Sequence, residues 1–403
     1  MRKLKDSGVE WIGKIPIDWN IKRIKAVLCE RNESNNPIQT DKILSLTNDR
    51  GVIPYDEKGD VGNKSKEDLT GYKLAYPGDI VLNSMNVFIG SVGLSSYFGC
   101  VSPVYYMLYP RNKNHSVSFF NYLFQTKELQ AKLHGYGNGI MEIRMRIQMS
   151  KLNSVQLPVP PSDVQQRIAA YLDRKCSQID AIITRQQEMI ERLKSYKLSK
   201  INEIIIEVEG VTAHLGYVAN MKNGLNFNMA TDGKTLKFLG VGDFKDYYVL
   251  DSEEMFSDIL IDTEIDSDYM IQSGDIVFVR SNGSKELVGR AVMVENVTFP
   301  LSYSGFCIRL RNLRTDILNS KYLLYFFRSP YFRKQLEKYS QGSNITNINQ
   351  VILSQIPIII PPVEVQLKAI RKVEKMLAAI DKLIKGKQEI ISSLERYKEI
   401  PYL

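Results

Sequence analysis

Two stretches of the chain have nearly the same helical pattern. Residues 160–183 read PPSDVQQRIAAYLDRKCSQIDAII, and residues 361–384, which lie 201 positions later, read PPVEVQLKAIRKVEKMLAAIDKLI. Because the chain has 403 residues, this displacement is half of its length. Proline fits the first turn of a helix but not its interior, so each double proline marks a helix start. The repeat predicts two similar halves, each closed by a long helix.

Apolar residues recur along both predicted helices at an average spacing of about 3.5 residues, which is the period of a coiled coil. A helix over residues 163–207 would be about 68 Å long. Either each helix packs only on its own half of the chain, or the two helices pair with each other. The matching apolar patterns of the two helices favour pairing. The chain order of domain, helix, domain, helix makes such a pair antiparallel. The predicted seam comprises Leu172, Ile179, Ile183, Ile190, Leu193, Val373, Leu377, Ile380, Ile384, Ile391 and Leu394.

The segments before the helices also repeat. Residues 76–86 (YPGDIVLNSMN) match residues 272–282 (QSGDIVFVRSN), and both predict a Gly-Asp turn that leads into a β-strand. Residues 116–134 and 318–339 predict amphipathic helices whose aromatic side chains belong to the core. The predicted fold class is α+β: two similar mixed α/β domains, a pair of long antiparallel helices between them, and a pseudo-twofold internal repeat.

These patterns divide the chain into four segments. Residues 1–158 form the first globular domain and residues 159–208 the central long helix. Residues 209–359 form the second globular domain and residues 360–403 the C-terminal long helix. No single core is expected to serve a chain of this length.

The charge pattern favours an anionic partner. The formal net charge is +8, and residues 81–151 contain seven bases but only two acids. No apolar run is long enough to cross a membrane, and four widely spaced cysteines are typical of a reducing compartment. We therefore expect a cytoplasmic protein.

Polar loops beside the predicted strands and helices are the candidate DNA-binding positions, because Arg can bridge guanine and Asn can pair with adenine. The alternative for these loops is an ordinary solvated hairpin. The candidates are Asn83, Ser84, Asn86, Tyr136, Asn138, Arg144, Arg146, Arg280, Ser281, Asn282, Ser284, Lys285, Arg290, Ser343, Asn344 and Asn347.

No catalytic or metal-binding motif is evident. The three histidines have no neighbour at metal-ligand spacing, and no phosphate-binding GxxxxGK[ST] loop occurs. Two functions compete with DNA recognition. One is a non-enzymatic coiled-coil adaptor without sequence-specific DNA binding. The other is a nuclease that uses Asp56 or Asp232. These residues begin the triplets DEK (56–58) and DGK (232–234), and such triplets arise by chance in chains of this size.

The opening segment at residues 6–25 (DSGVEWIGKIPIDWNIKRIK), the two double-proline helix starts and the duplicated halves resemble the specificity subunit of type I restriction-modification enzymes. The resemblance covers essentially the whole chain. It implies that each globular half is a target recognition domain for one half of a split site in double-stranded DNA, and that the helices set the gap between the half-sites.

The resemblance also implies the partners. Two modification subunits are expected to dock on the helices and to methylate adenine with S-adenosylmethionine that they hold themselves. Restriction subunits, which are motor-nucleases, join for cleavage. This chain is then expected to bind no cofactor and no metal and to have no catalytic residue.

Overall fold

The computed structural model describes residues 3–47, 50–59, 67–136, 146–226, 233–340 and 346–398. The chain forms two compact units: Met1–Thr184 with Ile390–Leu403 is unit 1, and Arg185–Glu389 is unit 2. The sequence-based division into four segments stays a prediction.

Unit 1 is a mixed α/β structure. Its strands are β1 (Leu4–Asp6), β2 (Lys14–Pro16), β3 (Asn20–Arg23), β4 (Leu28–Arg31), β5 (Leu44–Thr47), β6 (Gly51–Pro54), β7 (Lys73–Ala75), β8 (Ile80–Asn83), β9 (Val92–Leu94), β10 (Gly99–Val101), β11 (Tyr105–Pro110) and β12 (Gln156–Val159). Its helices are α1 (Ile24–Val27), α2 (Val117–Phe124), α3 (Lys127–His134), α4 (Met149–Ser154) and the first part of α5 (Ser162–Ile206).

Unit 2 repeats much of this order. Its strands are β13 (Val211–His214), β14 (Ala219–Asn223), β15 (Lys234–Leu239), β16 (Val249–Leu250), β17 (Ser257–Ile261), β18 (Ile276–Val279), β19 (Ala291–Val294), β20 (Leu301–Tyr303), β21 (Cys307–Asn312) and β22 (Pro357–Ile360). After the rest of α5 come the helices α6 (Leu215–Val218), α7 (Ser320–Phe327), α8 (Pro330–Tyr339), α9 (Gln350–Gln355) and α10 (Val363–Lys398), whose last residues belong to unit 1.

The central sheets of the two units are related. Unit 1 has the strand order β4-β11-β8-β9, and unit 2 has the order β14-β21-β18-β19-β16. Each sheet packs against its aromatic helices: Phe119 and Phe124 are buried in unit 1, as are Phe326 and Phe332 in unit 2. The prediction that the aromatic stripes are core is confirmed.

The long helices begin where the double prolines predicted. α5 begins at Ser162 and α10 at Val363, each directly after its Pro-Pro pair. A short apolar strand, β12 or β22, precedes each pair and is antiparallel to β3 or β13. Each long helix therefore starts directly after a strand that is hydrogen-bonded to another strand of the chain.

A buried glutamine fixes each helix start. The Gln366 side chain is fully buried; its Nε2 donates to the carbonyls of Ile317 (2.7 Å) and Pro361 (2.8 Å), and its Oε1 accepts from the Asn319 amide at 2.8 Å. Asn319 is the N-cap of α7, so one side chain joins two helix starts.

Gln165 plays the same part in unit 1. Its Nε2 donates to the Pro160 carbonyl at 2.8 Å and lies 3.3 Å from His115 Nδ1, and its Oε1 accepts from the amide of Ser116, the N-cap of α2, at 3.0 Å. Burial, followed by the charge of Lys22, lowers the pKa of His115 and favours the neutral ring, although the hydrogen bond with Gln165 opposes this shift. Because Gln165 Oε1 accepts from Ser116, its Nε2 is the donor, and Nδ1 of the neutral ring is positioned to accept.

All eleven predicted seam positions are buried or half-buried. The buried ones are Leu172, Ile179, Ile190, Val373, Leu377 and Ile380, and the half-buried ones are Ile183, Leu193, Ile384, Ile391 and Leu394. Coiled-coil packing of these side chains against one another stays a prediction.

Polar contacts join the two long helices inside each unit. In unit 2, Lys197 Nζ lies 2.8 Å from Asp381 Oδ1, and Lys387 Nζ donates to Gln186 Oε1 at 3.1 Å. Because the α10 partner falls in number as the α5 residue rises, the two segments are antiparallel there. In unit 1, Lys398 Nζ pairs with Asp180 Oδ1 at 2.7 Å. This is the repeat mate of the Lys197–Asp381 pair, displaced by 201 residues.

We predict that Gln366→Leu lowers the free energy of unfolding by about 3 kcal/mol, because it leaves two carbonyls and one amide buried without a partner. Chemical denaturation followed by circular dichroism measures the change. Gln388→Leu, the same substitution at an exposed position of α10, is the control and should change stability by less than about 0.5 kcal/mol. Equal effects of the two substitutions would contradict the prediction.

Candidate nucleic-acid interface

A buried Gly-Asp turn positions the candidate strand in each unit. In unit 2, Asp275 accepts from the Gln272 amide at 2.8 Å and from Arg311 Nε and Nη2 at 2.8 and 2.7 Å. In unit 1, Asp79 accepts from the Tyr76 amide at 2.9 Å and from Arg31 Nε at 2.8 Å. Hydrogen bonding to Asp275 raises the pKa of Arg311 above its ordinary value. The Asp79–Arg31 and Asp275–Arg311 pairs hold the turns from which β8 and β18 begin. They thereby also position the polar residues at the ends of these strands.

In unit 2, three segments meet at the end of β18. The Arg280 amide donates to the Phe306 carbonyl at 2.7 Å, and the Arg280 carbonyl accepts from the Ile348 amide at 2.9 Å. Ser281 forms an isolated antiparallel bridge with Asn347. The structure thus brings together Arg280, Ser281 and Asn347, which lie up to 67 residues apart in the sequence.

The loop at residues 280–290 leaves most of its candidates accessible. Ser284 and Lys285 are exposed, and Arg280, Ser281, Asn282 and Arg290 are half-buried. Arg280 Nη1 donates to the Gly305 carbonyl at 3.3 Å, while Asn282 Oδ1 accepts from the Ser284 amide at 2.8 Å. The guanidinium of Arg280 is therefore oriented by backbone at the edge of the unit, where it still reaches solvent.

The same loop is held by two arginines. Arg290 donates through Nη1 to the Lys245 carbonyl and lies 3.3 Å from Asp246 Oδ1. From α8, Arg333 Nη1 donates to the Val288 carbonyl at 2.7 Å and its Nη2 to the Lys285 carbonyl at 3.3 Å. These bonds tie the backbone of the loop to α8 and to residues 245–246.

Unit 1 repeats the three-way junction with different side chains. The Ile147 amide donates to the Ser84 carbonyl at 2.9 Å, and the Ser84 amide donates to the Val104 carbonyl at 3.3 Å. Asn83 and Asn86 are half-buried beside the junction, and Arg146 is exposed next to Ile147. Asn83 Oδ1 accepts from the Met85 amide at 3.0 Å. The Nδ2 of Asn83 is therefore the group of this side chain that can contact another molecule.

Ser84 is the candidate whose side chain the structure buries. Its Oγ is fully buried and donates to the Val104 carbonyl at 2.6 Å. Arg280 has the equivalent backbone position in the junction of unit 2, but its longer side chain is only half-buried, so the burial of Ser84 follows from its short, hydrogen-bonded side chain. Tyr136, at the end of α3, is half-buried and packs against the core of unit 1, with Lys132 Nζ 5.3 Å from the ring centroid.

Four candidates, Asn138, Arg144, Ser343 and Asn344, lie outside the described residues.

Positive charge accumulates near the junctions. Burial lowers the pKa of Lys73; Glu30 opposes this shift, and the charge of the nearby Arg146 adds to it. In unit 2, burial lowers the pKa of Arg328, and the positive charge of Arg290 lowers it further. The Cζ atom of Arg328 lies 4.3 Å from the centroid of the Tyr248 ring. Lys73 and Arg328 each donate to a backbone carbonyl, that of Tyr105 and that of Ala291, whereas Arg146 is exposed and Arg290 is half-buried.

Sequence reasoning missed Phe306. Its side chain is 57% exposed on the turn between β20 and β21, and its carbonyl accepts from the Arg280 amide. The turn residues SGF at 304–306 could have indicated an exposed aromatic, but no sequence signal placed it beside Arg280.

The described residues add no metal-binding or membrane-spanning feature. Within the described residues, no three His, Cys, Asp or Glu side chains lie close enough to hold a metal ion. Asp56 of the alternative nuclease reading lies in a short 3-10 turn, and Asp232 is outside the described residues. No helix in the described part of the chain is long and apolar enough to cross a bilayer.

Two copies of one sequence family account for both units. Residues 16–192 and 208–395 each match the family described as the type I restriction modification DNA specificity domain. The chain belongs to this family. The membership confirms the resemblance drawn from the sequence. Subunits of this kind are non-catalytic, so the expectation that the chain is not an enzyme is confirmed at the level of the family.

Individual relatives agree with the assignment. The chain is 23% identical over 426 residues to the type I restriction enzyme MjaVIII specificity subunit of Methanocaldococcus jannaschii, covering 96% of this chain and 91% of that one. It is 24% identical over 258 residues to the StySPI specificity subunit of Salmonella potsdam, covering 59% of this chain but only 54% of that subunit.

Solved structures support the fold. A chain from a study of complex assembly and conformational transition of the type I R-M system has a TM-score of 0.69 at 14% identity, with 96% of each chain covered. The HsdS subunit from Thermoanaerobacter tengcongensis has a TM-score of 0.52 at 15% identity, covering 96% of this chain and 95% of that one. The expected mixed α/β fold with an internal repeat is confirmed.

We predict that Arg333→Met loosens the loop at residues 280–290, because the Val288 and Lys285 carbonyls lose their donors. Hydrogen exchange measured by mass spectrometry should show faster exchange of the loop amides and unchanged exchange in the β18–β21 pair. Lys334→Met, at the exposed neighbouring position of α8, is the control. Unchanged loop exchange in Arg333→Met would refute this bracing role.

Proposed function

We propose that this chain is the sequence-specific DNA recognition subunit of a type I restriction-modification complex and that each unit reads one half of a bipartite target. The carrying observation is that a specificity domain is present twice, with a polar three-segment junction at the same strand end in each copy. Two recognition domains on one chain would account for a target that is divided into two half-sites.

The chemistry of the junctions suits base recognition. In unit 2, Arg280 offers a fork of donors for guanine O6 and N7, and Asn347 and Asn282 offer amides for adenine. In unit 1, Asn83, Asn86 and Arg146 offer the same types of group. Each good bidentate contact contributes about 1–3 kcal/mol of discrimination between bases. Lysine and arginine contacts to phosphates add affinity without sequence choice. The fully buried Ser84 is left out of the proposed interface.

The long helices fit the role of a spacer. Repeat-related ion pairs join α5 and α10 within each unit, Lys197 with Asp381 and Lys398 with Asp180. A helical pair is stiff, so it would fix the gap between two half-sites. We propose that the same helices dock two modification subunits, which carry S-adenosylmethionine and methylate adenine, and that restriction subunits join for cleavage in the cytoplasm.

Methylation mapping tests this proposal. In cells that express this chain with its modification subunit, single-molecule sequencing should find methyladenine in one bipartite motif with a fixed gap. Purified complex should shift duplexes that carry this motif, with an affinity that falls steeply as salt rises. An adaptor without DNA recognition would give neither result, and either absence counts against the proposal.

We predict that Arg280→Ala relaxes base choice at one or two positions of one half-site and leaves the other half-site unchanged. The loss of one bidentate contact should reduce discrimination there by about 5- to 150-fold, which corresponds to 1–3 kcal/mol. Methylation mapping of the variant measures this. Arg371→Ala, at an exposed position of α10, should keep the wild-type motif. A motif unchanged by Arg280→Ala would remove this residue from the interface.

We predict that inserting four residues into each long helix, after Gln187 and after Gln388, lengthens the preferred gap but alters neither half-site. Each insertion adds about 6 Å of helix. Methylation mapping again gives the readout. The double substitution Gln187→Ala and Gln388→Ala tests for effects of sequence change alone. An active complex with the original gap would contradict the role of the helices as a spacer.

A further inference from the structure

One lysine in unit 2 connects both long helices to the central sheet. Lys197 belongs to α5, and its Nζ pairs with Asp381 Oδ1 of α10 at 2.8 Å. The same Nζ lies 5.1 Å from the centroid of the Tyr248 ring, and the side chain of Lys197 is only 15% exposed. Tyr248 directly precedes β16, which pairs with β19 of the sheet. The attraction between an ammonium and an aromatic face grows when water is excluded, so this contact joins α5, α10 and the sheet.

The Tyr248 ring is itself held by the rest of unit 2. Its carbonyl accepts from the Met293 amide of β19 at 2.9 Å. Arg328, at the end of α7, places its Cζ 4.3 Å from the ring centroid, and the rings of Tyr248 and Tyr325 lie 6.1 Å apart. The half-buried Tyr248 also packs against the main core of the unit. The ring therefore moves with the sheet and α7, and it transmits their position to Lys197.

The residues just before Tyr248 are bonded to the candidate loop at residues 280–290. Arg290 of that loop donates through Nη1 to the Lys245 carbonyl and lies 3.3 Å from Asp246 Oδ1. Lys245 has a φ of +38°, in the left-handed region that residues other than glycine rarely adopt. Such a strained backbone persists where the surrounding contacts hold it in place. Residues 245–248 thus connect the candidate loop, at one end, with Lys197 of the helix pair, at the other.

The internal repeat separates the ion pair from the ring contact. The repeat mates of Lys197 and Asp381 are Lys398 and Asp180, which form the same ion pair at 2.7 Å in unit 1. The Lys398 side chain is 33% exposed, about twice as much as that of Lys197. In the described part of unit 1 the central sheet ends at β9, and no strand corresponds to β16, which follows Tyr248 in unit 2. Within the described residues, the ion pair is repeated and the ring contact is not.

The Tyr248 contact gives unit 2 a second polar attachment to α10. The first is Gln366 in the first turn of the helix. Asp381 comes 15 residues later, about 22 Å along the helix. The apolar contacts between these two points include Val373 and Leu377, and apolar contacts are non-directional. Directional polar contacts at two separated points oppose rotation of the sheet about the helix start.

We propose that Tyr248 is a positioning residue: through Lys197 it holds the base-reading loop of unit 2 at one place along the helix pair, and so fixes the gap at which this unit accepts its half-site. The inference rests on the proposed function, because a gap exists only if the two units read two half-sites. Helix length sets a gap to the base pair only if the loop keeps a constant position relative to the helices. The Tyr248 contact supplies that constancy in unit 2.

Methylation rates on duplexes of altered gap test the proposal. The purified complex of the full-length chain with its modification subunit is given duplexes that carry both mapped half-sites, with the native gap or with one base pair more or fewer. Tyr248→Ala should lower the preference for the native gap at least fivefold relative to wild type, while base choice within each half-site stays the same. Tyr248→Phe keeps the aromatic face and should keep the wild-type preference.

A second pair of variants keeps the test decisive if Tyr248→Ala does not fold. Lys197→Met removes the cation from the Tyr248 ring and should lower the gap preference as Tyr248→Ala does. Lys194→Met is the matched control: it removes the same charge one turn earlier on α5, where the lysine is 55% exposed and pairs with Glu191 of its own helix, and the gap preference should stay that of wild type.

Two results would overturn the positioning role. One is a wild-type gap preference in both Tyr248→Ala and Lys197→Met. The other is a rate that falls equally at every gap, which would mean a general loss of stability. Failure of the proposed function looks different, because the wild-type complex itself would then show no sequence-selective methylation at any gap.

Discussion

The buried side chains of Gln165 and Gln366 are the interactions on which the rest of this structure depends. Each one joins the double proline, the first turn of a long helix and the N-cap of the preceding aromatic helix through three polar contacts with no access to water. A buried amide tolerates little change in the position of its partners, because every lost bond leaves a desolvated group. The first turn of each long helix is thereby held against the start of the preceding aromatic helix.

A second constraint is the Gly-Asp turn, which is the same in both units although the side chains around it differ. Asp79 and Asp275 occupy the same place in the two Gly-Asp turns, yet their arginines come from non-equivalent strands, Arg31 on β4 and Arg311 on β21. The turn geometry is kept while the surrounding residues differ. The strand ends thus present different side chains, Asn83 and Asn86 in one unit and Arg280 to Asn282 in the other, on one backbone plan. Under the proposed function, two half-sites of unlike sequence would be read on this one backbone plan.

Periodicity and repetition predicted the elements that obey local rules. The double prolines stand directly before the first residues of α5 and α10, and the seam positions are all buried or half-buried. The candidate interface was less predictable. Ser84 matches its polar neighbours in sequence but is buried, because its short side chain donates to the Val104 carbonyl, whereas the longer Arg280 side chain at the equivalent junction position is only half-buried. Phe306 lies beside Arg280 only because β20, β21 and β18 come together in three dimensions.

A duplicated α+β protein with two long helices follows from the sequence, because helix period, proline placement and a 201-residue repeat are local or linear properties. Which polar residues share a junction and which apolar side chains stay exposed depends on the folded chain. Val164 and Val365 occupy the same position in the repeat, but residues 3–19 bury one and no described segment of the chain buries the other. Burial depends on which segments can reach a surface, and that follows from the folded path of the chain and not from the residue or its neighbours in sequence.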